Sequence, residues 1–164
     1  MKPRYRTAGL VALAVLILDQ ASKLAVMRTL ELGAAKVVIP GVFNLVHIIN
    51  RGAAFGFLNR ADITWQRSFF IVATLLAVAV IIHLLRSNTT REPFLTWGLG
   101  LILGGAVGNL VDRIRFGHVV DFLDFHLGQR HWPAFNVADI AITVGAFAVI
   151  VSMYRKRKHA SHSS

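Results

Sequence analysis

The sequence contains no cysteine. A disulfide framework, a thiolate metal site and a cysteine nucleophile are excluded together. Charge is scarce too: 16% of the residues are Asp, Glu, Lys or Arg, against about 25% in ordinary soluble domains. Acidic residues number only eight in 164 positions. Apolar residues make up 55% of the chain, and the mean hydropathy is +0.58. A surface that meets water on every side is hard to build from this composition, so an integral membrane protein is the first reading. The length leaves room for one domain over 1–164.

A bilayer core about 30 Å thick takes roughly 20 apolar residues in a helix. Four stretches meet that need, near 8–27, 65–85, 94–110 and 137–154. The connections between them differ in charge. The segments 1–7, 86–93 and 155–164 are short and carry Lys2, Arg4, Arg6, Arg86, Arg91, Arg155, Lys156, Arg157 and Lys158. The longer segments 28–64 and 111–135 are much poorer in Lys and Arg for their length. The positive-inside rule then puts both termini and the 86–93 turn in the cytoplasm, which four spans permit. The formal charge of +10 becomes a topology signal beside anionic headgroups, and no motif supports a nucleic-acid partner. Trp65, Trp97 and Trp132 fall near span ends, where aromatic belts sit. A cleavable signal peptide is the rival reading of 1–27, but Asp19 and Lys23 interrupt its apolar run and no small-x-small cleavage site follows closely. In the first outer connection, Val37–Ile39 and Val42–Ile49 are β-prone runs broken by Pro40-Gly41. A small surface sheet is expected there, with Arg51–Leu58 turning into the interface.

Seven of the eight acidic residues lie in the expected outer half, Glu92 being the exception. Ionisable groups at bilayer depth cost about 2.5–3.5 kcal/mol each at a helix centre and tend to be functional. Asp19 and Lys23 are spaced i,i+4 and share a helix face; they form a neutral pair that orients the first span, or they help shape a polar site. Asn109, Asp112 and Arg113 gather on one face where the third span ends, after the small-xxx-small pair Gly104 and Gly108. Arg113 reads equally as a cap or as a clamp on a headgroup or backbone. Asp121 stands among apolar neighbours in Val119–Phe125, and Asp139 stands at the start of the fourth span.

Two carboxylates held close in a low-dielectric site cannot both ionise easily, so their proton affinities split. The ionised one can activate water, and the protonated one can polarise a carbonyl and then protonate a leaving amine. Asp121 and Asp139 are the candidates for this aspartic peptidase chemistry, which needs no metal and no cofactor. A metal site among His118, Asp121, Asp124, His126 and His131 is weaker, because the H-E-x-x-H pattern is missing. Ser22, Ser68 and Ser87 stand in no nucleophile turn.

Five motifs occur in order: Asp19-Gln20-Ala21-Ser22-Lys23, Asn50-Arg51-Gly52-Ala53-Ala54-Phe55, Gly104–Arg113, Val119–Asp121 and Phe135–Asp139. In this respect the chain resembles the lipoprotein signal peptidases (signal peptidase II). The resemblance implies an all-α membrane protein of four transmembrane helices, with a small sheet and an interfacial helix on the outer face. It implies a catalytic pair Asp121 and Asp139, a site lined by Asn50, Asn109, Arg113 and Asn136, and support from Asp19, Lys23 and Asp112. The implied substrate is a prolipoprotein carrying diacylglycerol on its lipobox cysteine, cleaved just before that cysteine at the outer face of the bacterial inner membrane. Membrane lipids are the other expected partner, and a monomer is expected. A proton-coupled carrier is the competing reading and calls for polar residues spread through the bilayer midplane; a non-catalytic scaffold is the third.

Overall fold

The computed structural model describes residues 3–52, 65–87 and 92–161, with side chains as far as Lys156. Four helices carry the chain: α1, Pro3–Thr29; α2, Gln66–Ser87; α3, Pro93–Phe116; and α4, Val137–Ser161. All four are long and apolar enough to cross a bilayer. They coincide with the four expected spans, although each runs beyond its expected limits at one end or both. In α3 the extension places Asp112 and Arg113 on the helix itself.

α3 is the central helix. Over half of its apolar stretch is buried, whereas α1, α2 and α4 turn Leu13, Ile17, Leu76, Val80, Phe147 and Ile150 outward. Large apolar side chains on the outside are what a hydrocarbon solvent accepts. Without a hydrophobic drive between helices in lipid, close backbone approach through small residues does the packing. A Cβ at Gly98 would lie 2.8 Å from the Gly145 carbonyl oxygen of α4, and one at Gly104 would lie 2.6 Å from that of Ala12 on α1. One stripe of bare backbone on α3 thus seats α4, and another seats α1. Pro93 starts α3 where its missing N–H costs nothing. Gly117 ends it at φ 79°, donating its N–H to the Arg113 carbonyl at 3.1 Å. That left-handed stop turns the chain straight into a strand.

The strands are β1, Ala35–Ile39; β2, Phe43–Asn50; β3, Val119–Leu127; and β4, Arg130–His131. They form one antiparallel sheet in chain order. The β1–β2 hairpin occupies the first outer connection, as its β-prone runs suggest. β3 pairs with β2 so that Ile48 faces Asp121 and Asn50 faces Val119. An isolated bridge then joins Leu123 to Phe135, and Phe135 precedes the helix α4. The stretch Arg51–Leu58, expected to turn into the interface, lies from position 53 onward outside the described residues, as do positions 59–64 of the segment to which the resemblance assigns an interfacial helix.

The two ends of the bundle differ in character. At one end Arg4 donates to the Arg86 carbonyl at 3.1 Å, and Arg155 lies over the Phe94 ring. At the other end are the sheet, the C-terminal half of α1, the last turns of α3 and the first turn of α4. All the acidic site residues lie at this second end. α1 also contributes buried charge to it, and so behaves as part of the fold.

Candidate active site

Asp139 is placed by a helix cap. Asn136 precedes α4 and its Oδ1 accepts the Asp139 N–H at 3.0 Å; in return Asp139 Oδ2 accepts the Asn136 N–H at 3.3 Å. This reciprocal box satisfies two otherwise orphaned donors and sets the carboxyl in the first helical turn. Asp139 Oδ1 accepts a further bond from Asn109 Nδ2 at 2.9 Å.

Asp121 is placed by the sheet. It sits in β3 opposite Ile48 and is only 2% exposed. Asn50, two residues on in β2, donates to its Oδ2 at 3.0 Å, and Asn136 Nδ2 donates to its Oδ1 at 2.7 Å. Asn136 is fully buried and therefore holds both aspartates, one by its amide nitrogen and the other by its amide oxygen. Burial, and then the nearby charge of Asp139, push Asp121 up to about 7; the bonds from Asn50 and Asn136 and the Lys23 charge oppose the rise only in part.

Beneath the pair is a second polar layer. Lys23 Nζ lies 2.9 Å from Asp19 Oδ2, 2.7 Å from Asp112 Oδ2 and 3.0 Å from Asn109 Oδ1. Asp19, Lys23 and Asp112 are each at most 1% exposed. The glycine at 108 makes room for this layer, since a Cβ there would stand 2.6 Å from Asp19 Oδ2. On the other side of the pair, Arg113 donates to the carbonyls of Gly52 at 2.9 Å and of Asn109 at 3.4 Å, and its guanidinium lies over the Phe70 ring. Arg113 is thus a backbone clamp that lies within electrostatic reach of both aspartates.

All nine residues singled out from the sequence meet in this one cluster. Sequence reasoning missed Gln20, whose Nε2 reaches Asp19 Oδ2 at 3.1 Å, Asp112 Oδ1 at 2.9 Å and the Gly108 carbonyl at 3.2 Å. Its place inside the first motif was the available signal. The His and Asp run after α3 divides instead: Asp121 joins the cluster, while Asp124 accepts from Asn44 at 3.0 Å and sits 2.9 Å from His131 Nδ1. His131 stacks on His126 at the β3–β4 hairpin.

A cavity of about 730 Å³ opens beside the pair. Asn50, Asn109, Arg113 and Asp139 form its polar end, and Phe70, Ala73, Ala77, Ile102, Ala106 and Ile140 are among its apolar walls on α2, α3 and α4. Asp139 borders the cavity directly, whereas Asp121 is reached through Asn50. Such an arrangement can hold an extended apolar chain with one polar bond drawn up to the carboxyls. It does not form a relay: among the described residues, the buried charges collect at one end of the bundle, which is unlike the spread a carrier calls for.

A family model for signal peptidase (SPase) II matches residues 11–155. The chain is 56% identical over 154 residues to a lipoprotein signal peptidase of Maridesulfovibrio salexigens, covering 94% of this chain and 99% of that one. It is 45% identical over 161 residues to the lipoprotein signal peptidase of Geobacter metallireducens, covering 98% of each. A solved bacterial membrane enzyme superposes with a TM-score of 0.83 at 30% identity, over 93% of this chain and 90% of that one.

Proposed function

Because the chain belongs to the signal peptidase II family of lipoprotein-processing proteases, we propose that it is an aspartic endopeptidase whose reacting groups are Asp121 and Asp139. The observation that carries this reading is the shared residue: Asn136 holds the Asp121 carboxyl through its side-chain amide and the Asp139 carboxyl through its backbone N–H, while its amide oxygen accepts the Asp139 N–H, so one residue fixes both aspartates. Up to about pH 7 burial and the Asp139 charge favour a proton on Asp121, which makes Asp121 the acid of the pair. A water between the carboxyls loses its proton to Asp139 and attacks the scissile carbonyl, while Asp121 donates its proton to the carbonyl oxygen. Asp139 then passes the acquired proton to the leaving nitrogen while Asp121 takes back the proton of one hydroxyl of the tetrahedral diol, so the C–N bond breaks, a carboxylic acid forms and the pair is restored. Arg113, Asn50 and Asn109 hold the approach to the pair.

The substrate is a prolipoprotein with diacylglycerol on its cysteine, cut just before that cysteine. The apolar walls of the cavity favour such a substrate, because a lipidated peptide anchored at the membrane surface would present its scissile bond at this depth. The basic end of the bundle, with Arg4, Arg86 and Arg155, faces the cytoplasm, and the sheet and the aspartates face outward. The protein acts as a monomer.

The test is turnover of a synthetic diacylglyceryl precursor peptide by the purified protein. Asp121→Asn and Asp139→Asn should each lower the rate at least about a thousandfold, the scale of a lost acid or base, with unchanged membrane insertion. Turnover retained in either variant removes that residue from the chemistry.

A further inference from the structure

The residue immediately before each aspartate gives its backbone N–H to the buried charge layer. Val120 N donates to Asp112 Oδ2 at 3.2 Å, and Ala138 N donates to Asp19 Oδ1 at 3.0 Å. The ammonium of Lys23 ties those two carboxylates together, and its third acceptor, Asn109 Oδ1, leaves the Asn109 Nδ2 turned toward Asp139. Three N–H groups thus meet three acceptors, which is the whole capacity of a lysine. We infer that Asp19, Lys23 and Asp112 form a positioning unit that sets the separation of Asp121 and Asp139 by anchoring β3 and α4 to one ammonium. The inference rests on those two aspartates being the reacting pair.

Charge count favours this over simple neutralisation. Asp19 already balances Lys23 on the same helix face, and Arg113, the other cation in electrostatic reach of Asp112, gives its hydrogen bonds to backbone carbonyls, so Asp112 is buried without an ion-pair partner of its own. A buried ion pair is weak evidence for stability even when balanced, and an extra carboxylate makes it costlier. Its oxygen receives both Lys23 and Val120, which explains its presence: it connects the helix layer to the strand carrying Asp121. Gln20, bridging Asp19 and Asp112, completes the tie.

The pH dependence of kcat/KM on the diacylglyceryl peptide separates positioning from stability, because its two limbs report the free enzyme's acid and base. Two carboxyls that move apart interact less, so the limbs draw together. A charge removed nearby shifts both limbs the same way. The charged groups facing the pair are Lys23 and Asp19 from α1 and Asp112 and Arg113 from α3. Asp112→Leu keeps the shape, leaves Lys23 neutralised by Asp19 and frees the Val120 N–H. It should narrow the profile and lower kcat about 100-fold, as a misplacement of about 1 Å does, with KM within about threefold. Asp112→Asn still offers an oxygen to Val120, and should move both limbs to lower pH without narrowing. Limbs at wild-type separation in Asp112→Leu, or equal narrowing in Asp112→Asn, would overturn the inference. If Asp112→Leu does not fold, Asp19→Leu, which frees Ala138 instead, carries the same expectation. If neither leucine variant folds while Asp112→Asn does, the unit is a stability element only and the inference fails. The catalytic reading is judged separately, by whether Asp121→Asn in the otherwise native chain still turns over.

Discussion

The buried Asn136 side chain caps α4 by accepting the Asp139 N–H, holds the Asp121 carboxyl, and donates to the Val120 carbonyl at 3.3 Å. Serine is a good cap but is too short to hold Asp121. Asn136→Ser should therefore keep most of the thermal stability and lose turnover by about 100-fold, whereas Asn136→Ala should lose both, with about 1–2 kcal/mol of stability gone with the cap. Equal melting temperatures for the two variants would contradict this. Asp121 adds a pH signature. Its proton affinity in the folded state is raised from 3.8 to about 7, so between those values the folded protein holds a proton that the unfolded chain has released. The stability this provides is complete below about pH 4 and disappears as pH rises to about 7. Thermal unfolding in detergent should thus shift downward from pH 4.5 to pH 7.5 in the native protein. The slope should be flatter in Asp121→Asn.

At the scale of elements, α3 does its work by what it omits. A Cβ at Gly105 would run into the Ala138 carbonyl oxygen, in the turn that carries Asp139. That neighbour is backbone, so α4 as a whole must yield. Gly105→Ala should cost activity well beyond its effect on expression, whereas Gly9→Ala in α1, where nothing lies within 4 Å, should be neutral or stabilise by about 0.5–1 kcal/mol. Melting temperatures and turnover of the pair check this. The four spans were legible in the sequence because a bilayer demands long apolar runs, and Asp19 and Lys23 stood out because ionisable groups within such a run are expensive, whereas Asn50 and Asn136 were named through the family resemblance alone. β3 was not legible as a strand. Val119, Val120, Asp121 and Phe122 are all buried, so the alternation that marks a strand with one wet face is missing. The shared face of Asn109, Asp112 and Arg113 was legible from their spacing, but the helix continues to Phe116, beyond the apolar run, because Asp112 and Arg113 find their partners Lys23, Val120 and Gly52 inside the protein. Gln20 was passed over because an amide beside a charge gives no hint of three acceptors, two of them on α3.

For the molecule as a whole, the separation of a basic end from an acidic, sheet-bearing end is what the proposed orientation in the bilayer rests on. The charge bias of the connections and the lipid-facing walls give the same axis, with Ser87 at the basic end and Lys36 on the exposed β1 strand at the other. If the orientation proposed above holds, substrate arrives along the outer leaflet, and the cavity between α2, α3 and α4 receives it sideways from lipid. The absence of cysteine makes this testable without background labelling. Single substitutions Lys36→Cys and Ser87→Cys are on exposed positions away from the aspartates and should leave the protein able to insert. A membrane-impermeant maleimide added to intact cells with a permeable outer barrier should label Lys36→Cys at once, and Ser87→Cys only after the inner membrane is opened. The reverse pattern would place the aspartates on the cytoplasmic side, where a precursor exported and lipidated on the outer face could not reach them. Labelling of both would mean two orientations coexist, and the molecules with the aspartates on the cytoplasmic side would be inactive on a one-sided substrate.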